Sequence, residues 1–145
     1  MLGKIWCISI ILLGSLSVRA QDCLLGIGGE NTEIIIKTFQ LNESQIATME
    51  ALRGELSVNS KSLEDQIEKL LAEHPQSKEE DLITMGDKYK ALQAQLIQVS
   101  IEADKSLLEA FNAKQYERYL ELCKAAIRKP IFANPMEYET ESKEE

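Results

Sequence analysis

Two long stretches of apolar residues at helical spacing, separated by one short break, constrain the fold of this chain more than any other feature. In the first stretch, apolar residues recur mostly at steps of three and four from Ile46 to Leu70. In the second stretch, the same rhythm runs from Leu82 to Ala110. Such spacing lines apolar side chains along one face of a helix and is typical of a coiled-coil seam.

The break between the two stretches is short and contains a proline. His74 precedes Pro75, and a residue before proline is disfavoured in the α region, so the first helix should end there. With few residues between them, two long helices pack antiparallel in the simplest geometry. The sequence therefore predicts an elongated all-α fold, a long antiparallel helical hairpin with a shorter C-terminal helix. The apolar rhythm of the first helix has a gap at Val58-Asn59-Ser60, just after Gly54, and we expect a bend there but no loop.

Three short phrases carry the signals of helix starts. Leu41-Asn42-Glu43-Ser44-Gln45 and Phe111-Asn112-Ala113-Lys114-Gln115 share an apolar residue, then Asn, then Gln three positions later. In a capping box, the side chain of the N-cap residue accepts a hydrogen bond from the backbone N–H three residues later. The side chain of that later residue accepts in turn from the backbone N–H of the N-cap residue. A further box is predicted at Ser77 with Glu80. The predicted structural caps are Asn42, Gln45, Ser77, Glu80, Asn112 and Gln115.

Composition along the chain divides it into four parts. Residues 1–20 have a basic start, an apolar run and Val18-Arg19-Ala20, the pattern of a signal peptide cleaved after Ala20. An uncleaved anchor is the alternative, but the apolar run is short for a membrane span. Residues 21–40, rich in glycine at first, are predicted to be a flexible lead-in. A short helix or an extended segment along the hairpin is the alternative for Glu33 to Phe39, which contains three consecutive isoleucines. Residues 41–129 form the helical hairpin domain with its final helix, and residues 130–145 a disordered acidic tail.

The charge balance limits the partners. Removing residues 1–20 takes away Lys4 and Arg19 but no acidic residue, which changes the formal net charge from -8 to -10. Such a surface repels nucleic acid and anionic membrane, so we expect neither as a partner, and no membrane insertion after cleavage. The expected localisation is periplasmic or secreted.

In the oxidising compartment that the predicted signal peptide implies, an even number of cysteines favours a disulfide. Cys7 leaves with the predicted signal peptide, so Cys23 and Cys123 remain as an even pair. An intramolecular disulfide is expected. Two free thiols, or a bond between subunits, remain open because sequence does not give the separation of the two Cα atoms.

The sequence contains no recognisable catalytic or metal-binding pattern. His74 is the single histidine, at a predicted helix end where a cation is favoured by the helix dipole. No His or Cys cluster accompanies it, so no metal site is predicted. The serines lie outside any Gly-x-Ser-x-Gly turn, and one histidine cannot supply every acid and base role. We therefore expect neither an enzyme nor a cofactor.

Surface binding remains as the expected activity. An elongated hairpin can expose an apolar stripe that dimerises or holds other proteins. Adaptable methionine and aromatic side chains suit such contacts, although the same helical spacing also fits the hairpin core. The candidate client or dimer surface consists of Met49, Met85, Tyr89, Phe111, Tyr116 and Tyr119.

The two Asn-x-x-Gln phrases around a hairpin resemble the paired LTxxQ motifs of the Spy/CpxP family of bacterial periplasmic helical proteins. Asn42 and Asn112 replace the family's Thr, and Phe111 replaces its Leu. The resemblance spans roughly residues 41–128. It implies a cradle-shaped antiparallel dimer and an ATP-independent chaperone or envelope-stress modulator, in some branches with metal sensing. The chain differs from the basic chaperone cradle by its acidic charge, and from the metal-sensing branches by its single histidine.

Two hypotheses follow from the surface and the resemblance. The first is an exported chaperone or envelope-stress adaptor that binds unfolded or partner proteins without ATP, with a homodimer possible. The alternative is a dedicated interaction or metal/stress sensor protein with one specific envelope partner and no general chaperone activity. An enzyme is a distant third.

Overall fold

The computed structural model describes residues 21–137 of the chain. The predicted signal peptide, with Cys7, and the last residues of the predicted acidic tail lie outside this range. The described part contains four helices: α1 (Thr32–Phe39), α2 (Glu43–Glu73), α3 (Glu79–Glu109) and α4 (Ala113–Ala125). Its only β-type pairings are isolated bridges.

The two long helices form the predicted antiparallel hairpin. α2 and α3 each contain 31 residues and pack against each other along their length. α2 is continuous through Gly54 and residues 58–60, so no loop interrupts it there, as expected. It ends as predicted at His74, whose backbone is extended before Pro75. The all-α hairpin with a shorter C-terminal helix is confirmed.

The predicted cap at Ser77 and Glu80 is wrong. The N-cap of α3 is Lys78, whose side chain makes no capping hydrogen bond. The helix begins one residue later than predicted, so Ser77 lies outside the cap position and Glu80 occupies the second helical position. Glu79, Glu80 and Asp81 in the first turn still favour this helix end electrostatically, because acidic groups complement the helix dipole there.

The hydrophobic core lies at one end of the hairpin, where all four helices and both terminal segments meet. It extends along α2 as far as Leu56, and the next buried residue of α2 is Leu63. The rest of the core comes from α1, α4, the end of α3 and the segments that flank them. Its members include Ile27, Ile35, Phe39, Leu41, Met49, Leu107, Leu108, Phe111, Tyr119, Cys123 and Ile131.

Residues 21–40 do not form a flexible lead-in, and their second half forms α1, the short helix that the sequence left open. α1 buries Ile35 and Phe39 against the core, and the preceding loop buries Ile27. Gly26 adopts a left-handed backbone conformation (φ 75°), and Gly28 approaches Leu56 so closely that a Cβ atom would lie 2.9 Å from its Cδ2. The glycines therefore shape a specific loop against α2 and do not indicate disorder.

Residues 129–137 form an extended segment across α4, which we call the C-terminal strap. Ile131 and Ala133 are buried in the core, although this stretch was predicted to belong to a disordered acidic tail. The backbone of Lys129 pairs with Gln21 and Cys23, and Met136 N–H donates to the Phe111 carbonyl at 2.8 Å. Tertiary packing therefore orders a segment that its two prolines keep from being helical.

Candidate functional site

Both predicted asparagine capping boxes are present, and they begin α2 and α4. In α2, the Asn42 Oδ1 accepts from Gln45 N–H at 2.9 Å, and the Gln45 Oε1 accepts from Asn42 N–H at 3.0 Å. In α4, Asn112 and Gln115 repeat this arrangement, with both distances 2.9 Å. Each box satisfies two backbone donors at its helix start, as the spacing of Asn and Gln predicted.

The two boxes also contact each other directly through their glutamines. The Gln45 Nε2 donates to the Gln115 Oε1 at 2.7 Å, and the Gln115 Nε2 donates to the Gln45 Oε1 at 3.0 Å. The remaining amide hydrogens reach backbone carbonyls, from Gln45 to Ala110 and from Gln115 to Phe39. Both side chains are buried. The repeated phrase thus forms one junction that joins the starts of α2 and α4.

Cys23 and Cys123 lie together in the hydrophobic core. Their sulfur atoms are 2.04 Å apart, at disulfide distance, and their Cα atoms are 5.6 Å apart. The pairing is intramolecular, the arrangement favoured from the sequence. It closes a loop with a sequence separation of 100 residues, and long loops are those for which a cross-link most reduces the entropy of the unfolded chain.

Two tyrosines of α4 hold the C-terminal strap by its backbone. The Tyr119 hydroxyl donates to the Cys23 carbonyl at 2.7 Å and accepts from Ile131 N–H at 2.8 Å. The Tyr116 hydroxyl donates to the Ile131 carbonyl at 3.0 Å and accepts from Ala133 N–H at 3.2 Å. Burial raises the pKa of the Tyr119 phenol above its ordinary value of 10.0, so it stays protonated and able to donate.

Asp104 is a buried carboxylate that the sequence gave no reason to single out. Its two oxygens accept from Gly26 N–H at 3.0 Å and from Ile27 N–H at 3.2 Å, which anchors the glycine loop to α3. Burial raises the pKa of this carboxyl above its ordinary value of 3.8, while the loop N–H groups oppose the shift. In sequence, Asp104 looks like any acid on an exposed helix face, and only the tertiary contact distinguishes it.

The candidate surface residues divide into two groups. Met49, Phe111 and Tyr119 are buried in the core, so they do not form a client or dimer surface, which corrects that prediction. Their helical spacing placed them on the apolar faces of the helices. The other helices and the terminal segments cover these faces in the structure. Met85, Tyr89 and Tyr116 are half-buried. Met85 and Tyr89 lie on the hairpin seam, whereas Tyr116 supports the C-terminal strap.

Residues 64–102 form the far part of the hairpin, which we call the hairpin arm. At its base, Val99 and Ile101 pack against the core. None of the arm's residues is buried, although its seam carries Ile67, Leu70, Met85, Tyr89, Leu92 and Leu96. Leu71, Leu82, Ile83 and Ile97 are exposed on the same arm. Near the tip, Leu70, Pro75 and Leu92 line an open groove of about 650 Å³, with Lys69, Lys88 and Glu73 at its edge.

Within residues 21–137, no group of three or more His, Cys, Asp or Glu side chains is arranged to hold a metal ion. His74 is half-buried, and its Nδ1 lies 2.9 Å from the Pro75 carbonyl oxygen. None of the four helices has the length and hydropathy needed to cross a membrane.

Comparisons with protein-family models, with curated proteins and with solved structures find no match for this chain. The likeness to the LTxxQ motifs thus remains a resemblance carried by the two Asn-x-x-Gln phrases.

Proposed function

We propose that this protein is an exported, non-catalytic helical protein that binds other proteins through its hairpin arm, as an ATP-independent chaperone or an envelope-stress adaptor. The observation that supports the proposal best is the absence of any buried residue in residues 64–102, despite an apolar seam. Two helices alone cover only one side of each seam residue. The other side remains available to an apolar segment of another protein.

The rigid end of the molecule supports this assignment of roles. The paired caps, the Cys23–Cys123 pair and the C-terminal strap all lie at the end opposite the tip of the arm. They hold the bases of α2 and α3 in place, so the arm projects from a fixed support. Because its base is fixed, the hairpin cannot fold back to bury its own exposed apolar residues.

The acidic surface complements the apolar arm in this role. A net charge far from zero keeps a protein with exposed apolar residues soluble and opposes its self-association. The same charge favours client segments that are apolar and basic over acidic ones.

The proposal is tested by measuring whether the protein suppresses the aggregation of an unrelated model client. Chemically denatured citrate synthase is diluted into buffer without ATP, and light scattering is followed with and without equimolar protein. Suppression of scattering is expected. Unchanged scattering at several-fold excess would overturn the chaperone activity.

Matched variants locate the activity on the arm. Ile83 on the arm and Ile34 on α1 are exposed to similar degrees, 58% and 62%. Ile83→Ser, combined with Ile97→Ser, should weaken suppression, whereas Ile34→Ser should leave it unchanged. Equal loss in both proteins would show that the arm has no special role.

A dedicated partner is the second candidate, and the groove near the tip favours it. An open groove lined by apolar side chains and by two lysines offers a mixed surface that one complementary partner could match. Pull-down from an envelope extract distinguishes the two candidates. One dominant partner supports this candidate, and a broad mixture of unfolded proteins supports the chaperone.

A further inference from the structure

The segment that follows α4 presents basic and apolar side chains together. Between Glu121 and Glu137 the sequence has no acidic residue but contains Lys124, Arg128 and Lys129, in a chain where acidic residues outnumber basic ones by 24 to 16. All three side chains are exposed, and none forms an ion pair with another described residue. We call residues 124–132 the basic turn.

Ile127 occupies an unusual position in this turn. Its φ is 54°, in the left-handed region that β-branched residues rarely adopt, and its side chain is 84% exposed. Arg128 N–H donates to the Cys123 carbonyl and Ile127 N–H to the Lys124 carbonyl, which is the hydrogen-bond pattern of a Schellman motif. Glycine is the usual residue at this position, so stability does not explain the isoleucine.

Phe132 projects from the same turn for a different structural reason. It lies between Ile131 and Ala133, which are both buried, so the alternation of an extended segment directs Phe132 outward. Its side chain is 77% exposed. The hydroxyls of Tyr116 and Tyr119 fix the backbone on either side. Phe132 is therefore held outward by an ordered backbone.

We propose that the basic turn docks on an anionic phospholipid surface. Ile127 and Phe132 enter the layer between headgroups and acyl chains, while Lys124, Arg128 and Lys129 contact lipid phosphates. A lipid surface needs no preformed cavity to take up single apolar side chains that project from a turn. It also offers an apolar interior directly beneath its negatively charged headgroups. An acidic protein would need a shaped pocket for both projecting residues.

The charge of the whole molecule does not prevent this contact. The net charge of the chain from Gln21 onward, -10, predicts repulsion from an anionic membrane. At physiological ionic strength, however, charges more than about 8 Å apart are largely screened. The surface therefore interacts mainly with the three cations of the turn and with the neighbouring Asp22, whose backbone pairs with Lys129. With three positive charges and one negative charge, these groups together carry a formal charge of +2. The binding lies in the plane of the membrane interface and involves no spanning segment.

Vesicle flotation tests the proposal directly. The probe is vesicles of phosphatidylcholine with or without phosphatidylglycerol, and the chain begins at Gln21, because the apolar run of residues 5–18 would bind lipid by itself. Residues 21–137 form all the contacts described above. Binding should require phosphatidylglycerol and weaken with added salt. Absence of binding, or equal binding to both vesicles, overturns the proposal.

Variants separate docking from folding. Ile127→Gly should raise the melting temperature, since glycine relieves the left-handed strain, and at the same time lower the bound fraction several-fold. Phe132→Ser should also lower binding. Arg128→Gln should reduce the partition coefficient by roughly fivefold, as expected for one cation near an anionic surface.

Two controls match these variants elsewhere on the molecule. Lys90→Gln removes an exposed cation from the arm, and Val58→Ser removes an exposed apolar residue from α2. Neither should change vesicle binding. Equal loss of binding in the control variants contradicts the proposal. The proposal is also contradicted if the wild-type chain does not bind vesicles but instead uses Ile127 and Phe132 to form a dimer or to bind an acidic protein. None of these outcomes depends on chaperone activity.

Discussion

Gln45 and Gln115 each use every hydrogen-bonding capacity of a side-chain amide. The Gln45 Oε1 accepts from Asn42 N–H and from Gln115, and its Nε2 donates to Gln115 and to the Ala110 carbonyl. Gln115 is satisfied in the same way by Asn112, Gln45 and Phe39. A buried polar network of this kind is stable only when complete, because each unpaired member costs its full desolvation.

Removing the two glutamines should therefore be non-additive. Gln45→Ala or Gln115→Ala alone leaves buried partners unpaired and should cost roughly 1–3 kcal/mol in the free energy of unfolding. Made in the background of the first variant, the second substitution should lower the free energy of unfolding by about 1 kcal/mol less than it does in the wild type. The hydrogen bonds between the two glutamines are already lost in that background. Urea unfolding of both single variants and the double variant measures this coupling. Additive costs would contradict a direct interaction between the two boxes.

The predicted capping residues should differ in how much they contribute to the free energy of unfolding. Asn42→Ala should cost about 1 kcal/mol, since it removes a side-chain cap from α2, and Asn112→Ala should behave similarly for α4. Ser77→Ala should change stability by less than about 0.5 kcal/mol, because Lys78 occupies the N-cap of α3. Thermal unfolding compares the three variants. A large effect at Ser77 would restore the capping box that the sequence predicted there.

Asp104 should make stability depend on pH with an identifiable sign. Because burial raises the pKa of its carboxyl above 3.8, the folded state binds this proton more tightly than the unfolded state. The stabilisation from protonation is complete below the unfolded pKa and is lost as pH rises through the folded pKa. The stability of the wild type minus that of Asp104→Asn should therefore fall as pH rises from about 3.8. A difference that rises over this range would contradict the assignment.

At the scale of elements, the terminal segments show what helical periodicity cannot predict. Apolar spacing and capping residues identified α2, α3 and α4 because helix formation depends on contacts three and four residues apart. The order of residues 21–31 and of the C-terminal strap depends on partners far away in sequence. Asp104 holds the glycine loop, and the tyrosines of α4 hold Ile131. No local pattern encodes such contacts.

The hydroxyl of Tyr119 should be a main support of the C-terminal strap. Tyr119→Phe removes a buried group that bonds both Cys23 and Ile131, and should cost roughly 1–3 kcal/mol. Hydrogen exchange at the Ile131 amide should accelerate. The matched control is Tyr89→Phe, whose hydroxyl accepts from Gln93 at an exposed position, and its effect should stay below about 0.5 kcal/mol. Similar losses in both variants would argue against this role.

For the whole molecule, the sequence predicted the hairpin but not the position of the core. The apolar seam is nearly uniform along α2 and α3, so periodicity alone suggested similar burial from end to end. Burial is concentrated at one end because α1, α4 and both terminal segments pack only there. Met49 and Tyr119 thus lie in the core, while Met85 and Tyr89 remain half-buried. This asymmetry leaves the arm as the surface proposed to bind other proteins.

Position-resolved crosslinking tests that role most directly. A photoreactive amino acid replaces Ile83 on the arm in one protein and Ile34 on α1 in another, two isoleucines of similar exposure. Each protein is illuminated with unfolding citrate synthase in the absence of ATP, and crosslinked product is quantified on a gel. The account predicts abundant crosslinks from position 83 and few from position 34. Equal crosslinking from both positions, or crosslinking from position 34 alone, would contradict it.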